Sequence, residues 1–251
     1  MTVTTSDLDS ARLVRWDRQE RRNAWDLETM SAIADAIEAA GADERVRCVV
    51  LRGEGDHFSA GDDLQAALEA DAEAWEATIE GFQRMTRVVL ASPVPAIAAV
   101  DGVCVGGALE FAASCDLRLC TDRVRLLTPE VGIGLVASNA GTLLLPELLG
   151  ESAARELLLG GEERDADWAR RTGFATELVP PEALNGRIEH WIGVFSRSSR
   201  GAVAATKAML NERFGSLLEE AMERESRHAA RLFEEDDAKN ALRTFAEGRR
   251  G

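Results

Sequence analysis

Residues Gly102–Ser114 read GVCVGGALEFAAS, a run of small and apolar residues that carries one carboxylate, Glu110. The run is apolar on every side rather than along one stripe, which describes a segment buried in a core and not a helix lying on a surface. A carboxylate placed there shifts its pKa, finds a partner, or is kept for chemistry. The chain around it alternates in period. ARLVRW is an early strand, Leu27–Ala40 has helical spacing and stops at Gly41, and VRCVVLRG (Val46–Gly53) is a β-branched strand closed by glycine. AEAWEATIEGFQRMTRVVLAS is a helix, and VPAIAAV (Val94–Val100) is the next buried strand. Strand and helix alternate to about residue 180 and helices follow, which predicts an α/β fold with strands covered by helices. GAVAATKAMLNERF and SLLEEAMERESRHAARLFEE are amphipathic helices suited to packing on the core or on another subunit.

Two segments share one plan. VVLRGEGDHFSAGDDL runs strand, glycine turn, small residues, Gly61 and a helix start; AIAAVDGVCVGGALE runs strand, Asp-Gly turn, small residues, Gly106, Gly107 and a helix start. Each delivers backbone N–H groups at a helix N-terminus, where glycine permits close approach and the helix dipole favours negative charge. Two such donors converging on one point make an oxyanion hole; each segment alone is also ordinary turn chemistry. Gly106, Gly107, Ala113 and Ser114 share the face of Glu110, so its carboxylate looks across minimal side chains, as on a helix lining a cleft. Glu130 lies twenty residues further on, in the apolar loop RLLTPEVGIGL. A solvated loop acid is the plain reading of Glu130. Beside Glu110 and an oxyanion hole it becomes the second member of a general acid and base pair for chemistry next to a carbonyl.

The 251-residue chain has the size of an enzyme, and its formal charge of −15 speaks against nucleic-acid or anionic-membrane partners. MTVTTSDLDS has neither the basic nor the apolar region of a secretory signal, and the longest apolar stretch, Val88–Val100, is too short and too interrupted to span a bilayer. A cytoplasmic (cytosolic) protein is expected. Cys48, Cys104, Cys115 and Cys120 show no metal-ligand spacing and read as buried thiols, and no metal site is expected. Of the histidines, only His57 lies near the site in sequence, and a structural role is expected for it. A serine hydrolase built on Ser59 or Ser114 lacks the strand-to-helix elbow such a nucleophile needs.

Taken together these motifs resemble the crotonase superfamily, the enoyl-CoA hydratase/isomerase family, over nearly the whole chain. RRNAWDLETMSAI is similar to the family's early helix signature, and VRCVVLRGEGDHFSAGDDL and DGVCVGGALEFAASCDLRL to its two oxyanion segments. TPEVGIGL resembles the loop of the second acid, and AVAATKAML the helix opening the C-terminal region. The resemblance implies a crotonase-like superhelix of repeated ββα units (1–190) and a helical C-terminal region (191–251) that builds a homotrimer or hexamer. It implies a 2-enoyl-CoA thioester as substrate, with coenzyme A entering as part of that substrate and no further cofactor. The backbone N–H groups of Asp62 and Gly107 would form the oxyanion hole. Glu110 would deprotonate the attacking water and Glu130 would protonate Cα. Ala60, Gly61, Gly106 and Ser138 would touch the substrate, and Arg22 would meet the coenzyme A phosphates, with plain surface charge as the alternative for Arg21 and Arg22. The chain departs from the family at Asp62, where a small residue is common, and at Ala137-Ser138-Asn139, where the family often has Pro-Gly and uses a backbone N–H to help hold the water. Asp63 is expected to cap the next helix. Three readings stand: hydratase, double-bond isomerase using Glu130, or a non-catalytic acyl-CoA-binding or assembly subunit.

Overall fold

The computed structural model describes residues 2–248. The chain opens with a hairpin of β1 (Thr2–Leu8) and β2 (Ala11–Asp17), followed by α1 (Leu27–Ala42) and β3 (Cys48–Gly53). Next come α2 (Leu64–Glu69), α3 (Ala72–Ala91), β4 (Ala96–Val100), β5 (Val103–Val105) and α4 (Gly107–Ser114). Strands β6 (Leu117–Thr121) and β7 (Arg125–Leu127) lead to a 3-10 turn, Glu130–Ile133. After α5 (Gly141–Leu149), α6 (Glu151–Gly160) and α7 (Ala166–Thr172) comes the last strand, β8 (Glu177–Val179). Helices α8 (Leu184–Arg197), α9 (Arg200–Glu212), α10 (Gly215–Phe233) and α11 (Asp236–Gly248) complete the chain.

The main sheet has the order β1-β2-β3-β4-β6-β8, antiparallel only between β1 and β2. Both faces of its central strands are covered, which is why those strands read as unbroken apolar runs. Val49 and Leu51 of β3, with Ala96, Ala98 and Val100 of β4, face the large core that α1, α3 and α4 complete. Cys48, Val50, Ile97 and Ala99 point the other way, onto Leu184, Ile188 and Ile192 of α8.

A second, smaller sheet pairs β5 with β7, and Ser59 joins it through a single bridge to Cys104. The chain thus climbs in ββα steps. β3, β4 and β6 lie side by side in the main sheet, while Ser59, β5 and β7 lie side by side in the small one. Each step ends in a turn, and the three turns stack.

Two details differ from the sequence expectation. The chain has an additional strand, β1, at the sheet edge. Helix α1 runs through Gly41 and ends at Asp43; glycine at 41 gives Pro93 room to pack, since a Cβ there would lie only 3.0 Å from Pro93 Cδ. The four cysteines are free and buried, and among the described residues no helix is long and apolar enough to cross a membrane.

Candidate active site

The three stacked turns, Ala60–Asp62, Gly106–Gly107 and Pro129–Glu130, converge on one cleft. The small sheet sets their spacing: Ser59 N–H donates to Val103 O (3.0 Å), Val105 N–H to Ser59 O (3.1 Å) and Gly106 N–H to Leu127 O (2.8 Å). Such close approach requires glycine at three points. Gly61 and Gly106 have φ of +81° and +58°, where L side chains are strained. A Cβ on Gly61 would meet Val105 O at 2.5 Å, and one on Gly106 would meet Glu130 Oε1 at 2.9 Å. A Cβ on Gly107 would lie 2.6 Å from the Phe82 ring.

The first turn is strapped down by the segment before α1. Ala60 N–H donates to Arg22 O, Trp25 N–H to Gly61 O and Asp63 N–H to Trp25 O. The buried Asn23 carboxamide donates to Glu54 O and His57 O, which ties the preceding turn to the same strap. Asp63 caps α2 by accepting from Gln65 N–H and pairs with Arg18 at 2.7 Å, as expected of a cap. Among the described residues, neither the N–H of Asp62 nor that of Gly107 donates to an acceptor of the chain. Gly107 is the first residue of α4, so its N–H also carries the positive end of the helix dipole.

Two glutamates stand beside these donors in unlike surroundings. Glu110, in the first turn of α4 and 1% exposed, accepts at Oε1 from Asn139 N–H (3.2 Å) and Gly141 N–H (3.0 Å). Burial and the nearby carboxylates of Glu225 and Glu130 raise its pKa well above the usual range, against the pull of these N–H groups. Glu130 Oε2 is shielded from solvent and has no hydrogen-bond partner among the described residues; burial pushes its pKa up to about 7. Two donors on one carboxylate and an orphaned oxygen on the other favour the ionised form of Glu110 and the protonated form of Glu130. Asp62 also faces the cleft. Its Oδ2 is likewise shielded and unpartnered among the described residues, and burial, with Asp63 adding repulsion, pushes its pKa up to about 7.

Of the residues singled out in the sequence, Ala60, Asp62, Gly106, Gly107, Glu110, Glu130 and Ser138 line this cleft. Gly61 is buried behind it, while Arg22 is exposed and joins the site through its carbonyl. The hydrolase arrangement is not formed. Ser59 Oγ donates to Asn23 O, Ser114 Oγ to Phe111 O, and His57 Nδ1 accepts from Val103 N–H. The apolar wall went unrecognised in the sequence: Trp75, Ile79 and Phe82 of α3 with Ile133 and Leu135. Also unrecognised was Glu225 of α10, 3% exposed and on the same helix face as Ala221, Met222 and Ala229. A charge on an apolar stripe was its only signal. Among the described residues, no group of three or more His, Cys, Asp or Glu could hold a metal ion.

Comparison with known proteins places these features among relatives. Residues 9–251 match the family model described as enoyl-CoA hydratase/isomerase. The chain is 32% identical over 237 residues to a crotonyl-CoA hydratase of Syntrophomonas wolfei, covering 93% of this chain and 90% of the relative. It is 30% identical over 240 residues to a short-chain-enoyl-CoA hydratase of Clostridium acetobutylicum, covering 95% and 92%. The crystal structure of an enoyl-CoA hydratase/isomerase from Xanthobacter autotrophicus superposes with a TM-score of 0.86 at 29% identity, covering 98% of this chain and 96% of that one.

Proposed function

The chain belongs to the enoyl-CoA hydratase/isomerase family, and from that membership and the make-up of its cleft we propose that it adds water across the double bond of a 2-enoyl-CoA thioester. The observation that carries this reading is the pairing of two unequal glutamates, Glu110 held by two N–H groups and Glu130 Oε2 by none among the described residues, beside the N–H groups of Asp62 and Gly107, which no acceptor among those residues takes. The thioester oxygen takes those two N–H donors. Glu110 removes a proton from water as its oxygen bonds to Cβ, the electrons of the double bond move toward the carbonyl, and an enolate forms. The donors bind the enolate more strongly than the substrate, which lowers the barrier; losing one such donor typically costs ~3 kcal/mol. Glu130 then delivers its proton to Cα, giving a 3-hydroxyacyl-CoA, and the two carboxyls regain their starting protonation through solvent. The walls of Trp75, Ile79, Phe82, Ile133 and Leu135 suit an apolar acyl chain.

The isomerase alternative moves one proton between carbons and needs only Glu130. The two N–H groups that hold Glu110 favour the hydratase reading, because they serve a base that must be ionised. The exposed Met209 and Leu210 of α9 and Leu217 of α10 support a homotrimer or hexamer built from the C-terminal helices. Lys239 is an exposed basic residue that a neighbouring subunit could bring to the coenzyme; Arg249 and Arg250, which share that expectation, lie outside the described residues.

The test is hydration of crotonyl-CoA, followed by loss of the conjugated thioester absorbance. Glu110→Gln and Glu130→Gln should each lower kcat by ~10²–10⁴-fold with little change in affinity. If Glu130→Gln alone abolishes 3-enoyl to 2-enoyl conversion and no hydration is seen, the isomerase reading replaces this one. Acyl-CoA binding without turnover on any chain length would leave the non-catalytic reading.

A further inference from the structure

Glu225 is a buried carboxylate that this reaction leaves unused. It reaches from α10 to the turn that precedes α5. Its Oε2 accepts from Ala140 N–H at 2.7 Å, and its Oε1 accepts from Thr142 N–H at 2.8 Å and Thr142 Oγ1 at 2.5 Å. The N–H groups of this turn therefore alternate between two carboxylates: 139 and 141 serve Glu110, while 140 and 142 serve Glu225. Ala140 sits at φ +60° and ψ +20°, a left-handed conformation that disfavours any residue with a Cβ and persists only where its surroundings enforce it. Gly141 completes the fit, since a Cβ there would lie 2.2 Å from Glu110 Oε1.

We propose that Glu225 is a positioning residue for water addition: from the C-terminal region it locks the 139–142 turn in the strained form that aims two N–H groups at Glu110. The inference rests on the hydratase reading of the cleft. It has a geometric and an electrostatic consequence. Without Glu225 the turn is free to relax, the N–H groups of Asn139 and Gly141 leave Glu110, and the base loses its orientation. Without the charge of Glu225, Glu110 also loses the repulsion that, after burial, contributes most to its raised pKa.

The other groups acting on this pair are identifiable. Glu130 repels Glu110 from the 3-10 turn, and the N–H groups of Ser138 and Asn139 oppose that repulsion. Glu225 is pushed up by burial, drawn down by Thr142 and Ala140, and faced on its own helix by Arg224. From α3, neutral Gln83 bonds to Met222 O and Ser226 Oγ, and Arg87 is engaged by Glu219 and Glu80. From α5, Glu147 pairs with Arg213, and from α11, Lys239 bonds to Glu234 O.

Two variants separate placement from charge. Glu225→Gln keeps the shape and removes the charge; Glu225→Asp keeps the charge and falls one methylene short. Both should lower kcat on crotonyl-CoA by about 10–100-fold with KM within about twofold, the pattern of a misplaced catalytic group. Glu225→Gln should move the limb of the kcat/KM profile that belongs to Glu110 to lower pH by about one unit, as the lost repulsion outweighs any loosened N–H group, whereas Glu225→Asp keeps the repulsion and should move it, if at all, to higher pH. A merely structural tie would lower Tm in both variants and leave that limb unmoved, and that result overturns the proposal, as does a Glu225→Gln enzyme with wild-type kcat. Should Glu225→Gln not fold, Thr142→Val withdraws one donor from the same carboxylate. The limb should then shift the same way by a smaller amount, and an unmoved limb counts against the clamp. A wild-type protein inactive on every enoyl-CoA defeats the hydratase reading instead. The clamp is then tested through the Glu110 carboxyl itself, by carbon-13 NMR of side-chain-labelled glutamate assigned with Glu110→Gln. A Glu110 titration identical in wild type and Glu225→Gln overturns the inference without reference to activity.

Discussion

At the scale of single residues, the cleft is a place where carboxyls are held away from their ordinary ionisation. In the proposed hydration Glu110 acts in its ionised form, so activity should rise with pH through its pKa, and Glu130 acts in its protonated form, so activity should fall as pH passes about 7. The profile of kcat/KM should therefore be bell-shaped, with Glu110 dominating its rising limb and Glu130 its falling limb. Asp62 acts on the same falling limb. When ionised it sets a negative charge beside the N–H proposed to bind the enolate oxygen, which opposes the charge developing there. Its raised pKa also bears on stability. The folded state holds this proton up to about pH 7 whereas the unfolded chain releases it near 3.8, so Asp62 contributes nothing unfavourable below about pH 4 and progressively weakens the fold as pH rises toward 7. Asp62→Asn should thus soften the alkaline fall in kcat/KM. In thermal melts it should raise Tm by a few degrees at pH 8, on a scale of roughly 2–4 °C per kcal/mol, with the advantage gone near pH 4. A variant whose Tm advantage is the same at both pH values would show that the Asp62 carboxyl titrates normally.

At the scale of elements, α4 carries opposite demands at its two ends. Its first turn holds Glu110 and presents the Gly107 N–H, and beyond its last turn the buried Arg118 gathers the carbonyls of Ala112, Cys115 and Phe174. Those bonds satisfy groups that the helix end leaves open and place positive charge at the negative end of its dipole. Lysine cannot spread over three carbonyls as a guanidinium does, so Arg118→Lys should cost about 2–4 kcal/mol in urea unfolding. A loss below about 0.5 kcal/mol would contradict that role. How legible each element was in the sequence follows from its surroundings. Glu110 stood out because it was the one charge in an apolar run, and Glu130 only because Glu110 gave it a partner. Trp75, Ile79 and Phe82 were not recognisable as cleft residues, because the face of α3 that lines a cleft has the same apolar spacing as a face that fills a core. Strand β1 was missed because Thr2–Leu8 is a half-exposed edge strand without a buried face to impose alternation.

At the scale of the whole molecule, the sheet and its order of helices were readable because both faces of the central strands are buried, so apolar runs and glycine turns marked each step. The relation between the last helices and the cleft was not readable, since a helix packed on its own chain and one packed on a neighbour carry the same stripe. Met209, Leu210 and Leu217 remain exposed in the single chain. In multi-angle light scattering, the 27.2 kDa chain should therefore run as a particle of three or six copies, and Met209→Glu with Leu210→Glu should shift it toward smaller species. A wild type that stays monomeric at micromolar concentration would rule out this assembly. The reach of Glu225 into the turn before α5 also sets an order in time. A ribosome releases the stretch carrying Asp62, Gly107, Glu110 and Glu130 well before residue 225, which follows Glu130 by 95 positions. At roughly 5–20 residues per second, that interval lasts on the order of 5–20 s. On the proposed reading, a nascent chain possesses both cleft glutamates before it possesses the clamp, and competence waits for residue 225 to emerge.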